Sequence, residues 1–202
     1  MKENGPGAVA AARTCHTPPV DDVTLTAPGL LLRPWHPTDA PAVLAALPDP
    51  AIARWNPQRV TDLATAAAWI RWRADHGSGD RISLAVTHPA DGALLGAVSL
   101  HQIHDGNASI GYWTVAAARG RGVALRAVTA LTDWAFATLG LHRIELCHAV
   151  PNAASCRVAG RAGYRLEGHL RESHRYGDDR RYDEHLHARL ATDDRPDAPT
   201  AG

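Results

Sequence analysis

The chain has 202 residues and balances 21 Lys and Arg against 21 Asp and Glu, so its formal charge at neutral pH is zero. Apolar residues make up 45% and charged residues 21%. That is the composition of one globular domain with its own core, and it excludes collagen-like, low-complexity and wholly disordered chains. Zero net charge removes the basic field of a general nucleic-acid binder. No apolar run approaches the roughly 18 residues of a membrane span. Three cysteines, Cys15, Cys147 and Cys156, form no even-numbered framework and suit a reducing cytoplasm. The apolar run at 8–12 is too short for a signal peptide.

In chain order, residues 1–28 are rich in Gly, Ala, Pro and Thr without any period and read as a mobile arm. Leu30-Leu31-Leu32-Arg33-Pro34 is a short apolar strand stopped by proline. Helices are predicted over 39–47, with Thr38 as N-cap, and over 61–76, where Ala66, Trp69, Ile70 and Arg73 share a face. Strands follow at 81–88 and 93–103 around the Asp91-Gly92 hairpin signal. Another strand occupies 108–115 after the Asp105-Gly106-Asn107 turn. A small-residue loop over 116–122 leads into a strongly periodic helix over 123–139, closed by Gly140. Then come a strand at 143–150, a short helix at 152–161 and two strands, 164–175 and 182–190. Residues 191–202 read as a frayed tail, which leaves 29–190 as the folded domain. A strand–loop–helix–strand unit requires a crossover, so the strands at 108–115 and 143–150 should be parallel. The fold class is α/β (α+β): a mixed, mostly antiparallel sheet with helices on its faces.

The stretch with chemical content is Arg119-Gly120-Arg121-Gly122-Val123-Ala124, between a strand and a helix. Gly120 and Gly122 let main-chain N–H groups approach a ligand closely. The first helical turn leaves its N–H groups unpaired and its dipole favours an anion. A phosphate or pyrophosphate site follows. The loop has no lysine, so it is not a Walker loop. It follows an antiparallel meander and has Leu125 where a dinucleotide fingerprint needs Gly or Ala, so it is not a Rossmann turn.

Arg-Gly-Arg-Gly-Val-Ala resembles the acyl-CoA motif of the GCN5-related N-acetyltransferases (GNAT). The resemblance extends to Leu30-Leu-Leu-Arg-Pro-Trp35, Ile110-Gly-Tyr-Trp113, Asn152-x-x-Ser155, Gly163-Tyr-Arg-Leu-Glu-Gly168 and Tyr182-Asp183. That ordered set is similar to the ribosomal-protein-alanine (Rim-type) branch. It implies a single domain whose sheet splays between its two parallel strands. It also implies an enzyme that moves an acetyl group from acetyl-CoA to a primary amine, by direct attack in a ternary complex. By this resemblance Trp113, Thr114 and Val115 contact pantetheine, and the amide near Val115 polarises the thioester. The amides of Arg119, Gly120, Arg121, Gly122, Val123 and Ala124 hold the pyrophosphate. Asn152 reaches pantetheine, and Ser155 protonates the departing thiolate.

Many relatives carry Glu where this chain has Ser109, just before Ile-Gly-Tyr-Trp. The base that deprotonates the amine is then sought at His101, Glu167 or His169, or in ordered water. The acceptor is a small amine or a protein N-terminus, walled by Trp35, Trp55, Trp69, Tyr112 and His169. No metal is expected, because His185 and His187 share a strand face but no third ligand is evident in sequence. No membrane or nucleic-acid partner is expected, and the chain is read as a monomer or homodimer. Two other readings stay open: a non-catalytic CoA sensor, and an acyltransferase that uses an acyl- or aminoacyl-tRNA donor.

Overall fold

The computed structural model describes residues 23–194. The arm expected over 1–28 lies outside them up to residue 22, as does the tail from 195. Residues Leu25–Ala27 are not arm but a short strand, β1, paired antiparallel with β2 (Leu30–Arg33). The sheet continues through β3 (Arg81–Thr87), β4 (Leu94–His104) and β5 (Asn107–Thr114), all antiparallel neighbours. It then passes to β6 (Arg143–Ala149), β8 (Arg181–Leu190) and β7 (Arg165–Arg175), giving the order β1-β2-β3-β4-β5-β6-β8-β7.

Strand alternation sorts side chains to two layers. On β5, Ala108 and Ile110 face α4 (Val123–Trp134), while Trp113 faces the N-terminal helices α1 (Ala40–Ala46) and α3 (Leu63–Ala74). The α4 layer also takes Leu32, Leu84, Val98, Leu100, Ile144 and Leu146, all essentially fully buried. α4 ends in a π-helical turn over Ala135–Leu139, and Gly140 closes it at φ +66°. α5 (Ala153–Arg161) lies on the same face.

Two elements depart from expectation. The helix predicted over 39–47 begins as a 3-10 turn at Pro37–Asp39, so Thr38 lies inside the turn and does not cap it. A helix not foreseen, α2 (Pro50–Trp55), starts at Asp49, whose carboxylate accepts from the amides of Ala51 (3.0 Å) and Ile52 (3.1 Å). Its Asp-Pro start is the N-cap and N1 pattern, which was legible locally.

The 3-10 turn is anchored by an ion pair. Arg33 donates a fork of two 2.8 Å bonds to Asp39, which also accepts from the His36 amide at 2.8 Å. Burial opposes ionisation of Asp39, but the Arg33 bonds and the His36 amide outweigh it and hold the carboxyl below its ordinary value. Asp39→Ala would strand a largely buried guanidinium and should cost about 3 kcal/mol at pH 7 in urea melts. A depressed carboxyl contributes stability above its unfolded pKa and loses it as pH falls through the folded value. The gap between variant and wild type should therefore close below about pH 4.

Candidate active site

β5 and β6 are parallel, and their pairing covers only Asn107–Arg143, Ala108–Ile144 and Ser109–Glu145. Beyond those pairs β5 stays with β4 as far as Thr114, and β6 stays with β8 as far as Ala149. Each strand thus keeps its own half of the sheet, and a wedge opens between them. The wedge belongs to a cleft of 570 Å³ that runs from the Arg119–Gly122 loop, past Tyr112 and Ser155, to Trp55 and Tyr176.

One wall of the wedge is main chain. The Val115 N–H donates to the Leu95 carbonyl at 3.0 Å, toward β4. Main-chain groups of an antiparallel strand alternate sides, so those of Trp113 also face β4 and those of Tyr112 and Thr114 face the wedge. The Trp113 carbonyl confirms this: a Cβ on Gly96 of β4 would lie 2.2 Å from it. The amide expected near Val115 to polarise the thioester is therefore not that of Val115 itself. The amide is spent within the sheet, and Tyr112 and Thr114 carry the free edge. Trp113 packs in the α1–α3 layer and is 7% exposed.

The loop closes the cleft at the other side. Gly120 and Gly122 take left-handed φ of +73° and +71°, and Gly122 is the N-cap of α4. The first bond of the helix runs from the Arg126 N–H to the Gly122 carbonyl at 3.1 Å, which leaves the Val123, Ala124 and Leu125 amides at the open end. The Arg119 amide is not in that set, because it donates to the Ala116 carbonyl at 3.2 Å. Its guanidinium forks onto Asp49 (Nη1 to Oδ2, 3.3 Å), tying the loop to α2. That bond is the main reason the Asp49 carboxyl is held low. Arg121 is exposed, and its carbonyl accepts from Arg126 Nη1 at 3.0 Å.

α5 supplies the remaining wall. Asn152 caps it, with Oδ1 accepting from the Ser155 amide at 3.3 Å. The Tyr112 hydroxyl donates to Ser155 Oγ at 3.0 Å. Burial pushes the Tyr112 phenol up to about 12, against a small opposite effect of Ser155. Tyr112 is thus joined to Ser155 on the α4–α5 side of the sheet, away from the aromatic wall on which the sequence had placed it.

The other expected residues scatter. Trp35 is a core residue, 4% exposed, with Nε1 donating to Ser83 Oγ at 3.1 Å and its ring against Trp69 (4.9 Å) and Trp113 (6.5 Å). Trp69 is half-buried and donates to Gln58 at 2.7 Å. Of the three tryptophans expected at the acceptor, Trp35, Trp55 and Trp69, Trp55 alone lines the cleft, edge-on to Tyr176 at 5.4 Å. Glu167 is committed to Arg143 (2.6 Å), at the end of β6 opposite the wedge. His169 binds Asp183 at 2.9 Å on exposed β7. His101 is the cross-strand partner of Ser109, on the α1–α3 face beside Gly111. Desolvation, then the charge of Arg73, holds its ring below its ordinary value.

Sequence reasoning missed Tyr176 and Glu184. Tyr176 lines the cleft and its hydroxyl donates to Glu184 Oε1 at 2.7 Å, and Ser173 Oγ donates to Oε2 at 2.7 Å. Burial, then Glu184, pushes the Tyr176 phenol up. Gly177 makes this possible. Its amide donates to the Arg54 carbonyl at 2.9 Å, and a Cβ there would lie 1.8 Å from the Ala53 carbonyl, so only glycine lets the β7–β8 turn dock on α2.

A splayed parallel pair, a left-handed glycine loop and a helix N-terminus facing the gap define an acyltransferase-type fold, and the comparisons agree. The chain belongs to the acetyltransferase (GNAT) domain family, whose model matches residues 29–165. It is 35% identical over 103 residues to YdaF of Bacillus subtilis, named a ribosomal N-acetyltransferase, covering 50% of this chain and 55% of that protein. The chain spans about half the length of the curated relatives it matches first. Its fold is that of the ribosomal-protein-S5-alanine acetyltransferase from Vibrio fischeri (TM-score 0.76, 21% identity, 85% of this chain and 98% of that one). It is equally that of Mycobacterium smegmatis RimJ in complex with CoA-disulfide (TM-score 0.75, 24% identity, 84% and 87%). Among the described residues no helix is long and apolar enough to cross a membrane.

Proposed function

We propose that this chain transfers an acetyl group from acetyl-CoA to a primary amine. The observation that carries this reading is the wedge itself: one strand edge free of its ladder, aligned with a helix N-terminus behind two left-handed glycines. A pantetheine arm would pair with the Tyr112 and Thr114 edge like an added strand. The pyrophosphate would rest on the amides between Gly120 and Leu125. An edge amide of β5 would stabilise the oxyanion as the amine attacks the thioester carbon. On collapse of the tetrahedral intermediate the C–S bond breaks, and Ser155, backed by the neutral Tyr112 phenol, gives the thiolate its proton. With Ser109 in the usual carboxylate position, the amine's proton passes through the Tyr176 hydroxyl to Glu184. His101, beside Ser109, is the other candidate.

Two relatives are named for ribosomal-protein substrates, which favours a protein N-terminus over a small amine. The test is thiol release from acetyl-CoA with a panel of N-terminal peptides and small amines. We expect release that depends on peptide and matches acetylated product one to one. Absence of CoA binding by calorimetry would refute the proposal. Binding without turnover on any amine would leave the sensor reading. Transfer from charged tRNA, but not from acetyl-CoA, would favour the tRNA donor.

A further inference from the structure

Under the first turns of α5 lies a histidine pair that the acyl-transfer reading does not use. His148 on β6 and His187 on β8 are each 4% exposed, and their Nε2 atoms face each other at 3.2 Å. The second nitrogen of each ring rests on a main-chain carbonyl: His148 Nδ1 on Ala149 (2.9 Å) and His187 Nδ1 on Tyr164 (3.3 Å). A carbonyl only accepts, so both Nδ1 atoms carry the proton. Both Nε2 atoms then present bare lone pairs to one another. Lone pairs at that distance repel unless a cation sits between them. A shared proton would create an imidazolium on residues each 4% exposed, which is costly. A metal ion satisfies both nitrogens without that cost.

Two further donors converge on the pair. His185 lies across from His148 in the β6–β8 ladder and two residues from His187, so alternation puts all three rings on the α5 face. Cys156 comes down from α5. One donor atom from each of the four residues lies within 4.8 Å of the others. His185 Nδ1 is buried and has no hydrogen-bond partner among the described residues. Tetrahedral zinc with Zn–N of about 2.0–2.1 Å sets its nitrogens about 3.3–3.4 Å apart, close to the spacing of the buried pair.

We propose that His148, His185, His187 and Cys156 bind one zinc-class divalent ion. Three imidazoles and a thiolate select zinc or a similar borderline metal over magnesium or calcium, which want oxygen donors. Four protein ligands fill a tetrahedron, so the site is structural and leaves no place for substrate. The carbonyls of Ala149 and Tyr164 are the outer partners that fix ring tautomer and direction. The thiol loses its proton to solvent as the Zn–S bond forms. The ion would staple β6, β8 and α5 together, next to Ser155. Nothing in this assignment depends on acetyl transfer.

The test uses tag-free, full-length protein stripped with a chelator, then loaded with zinc or cobalt and desalted. We expect one metal per chain, a raised melting temperature, and for cobalt the strong visible bands of a tetrahedral site with a sulfur charge-transfer band in the near ultraviolet. Cys156→Ser, a near-isosteric change at a half-buried position, should erase the charge-transfer band and weaken zinc binding at least about tenfold. Its metal-free melting should match that of the stripped wild type. His148→Ala with His187→Ala should abolish uptake, read on whatever fraction remains folded. Zinc content below about a tenth of an equivalent, or a cobalt spectrum that Cys156→Ser leaves unchanged, overturns the proposal.

Discussion

Gly122→Val should weaken CoA binding by at least about tenfold while leaving the fold intact. Gly122 holds φ +71° as the N-cap of α4, and a Cβ there would sit 3.0 Å from Arg126 Nη1. A β-branched residue in this region stores roughly 1–3 kcal/mol of strain, which the loop relieves by turning its peptide planes. Those planes carry the N–H groups proposed to hold the pyrophosphate, so strain relief and ligand loss are one event. Gly120→Ala separates conformation from crowding: φ is +73°, but nothing lies within 4 Å of the added Cβ. It should weaken binding less than Gly122→Val. Arg119→Ala should do less still, because that guanidinium already spends its donors on Asp49. Calorimetry with CoA, beside thermal melts, reads all three. Unaltered affinity in Gly122→Val would mean the loop does not bind the diphosphate.

The parts of this fold that depend on local pattern were legible. The Asp91-Gly92 hairpin, the periodic helix after Gly122 and the crossover that makes β5 and β6 parallel all follow from residues within about 30 positions of each other. The left-handed glycine loop ahead of α4 was legible for the same reason, since strand, glycines and helix are contiguous. What was not legible was direction. Which amide near Val115 points into the wedge is set by the β4 register, and the sequence holds no sign of that. The tryptophans show the same limit. Trp35 and Trp55 are alike in sequence, but Ser83 and Trp69 enclose the first, and the second stands at a cleft edge because Gly177 docks on α2. The histidine set illustrates it best. His185 and His187 were visible as a pair on one face, but His148 and Cys156 reach them only through β6–β8 pairing and the placement of α5.

Ser155→Ala should lower kcat about a hundredfold with little change in CoA affinity, the lower end of the range for a positioned proton donor. The modest size follows from the leaving group. A thiolate whose conjugate acid has a pKa near 8.5 departs without full protonation, so an acid helps less than it would with an amine. Ser155 is suited to give that proton because it accepts from Tyr112, which leaves its own hydroxyl hydrogen free to point at sulfur. Tyr112 in turn stays neutral through the working range, since burial has pushed it up to about 12. Tyr112→Phe removes the backing donor but not the acid and should cost roughly tenfold. The proposed proton path puts the two hydroxyls in series, so the double variant should be no slower than Ser155→Ala alone. Steady-state rates for the four proteins, with CoA affinity measured separately, close this cycle. Multiplicative losses would show that Tyr112 and Ser155 act independently, and an undiminished kcat in Ser155→Ala would return the departing thiolate's proton to solvent.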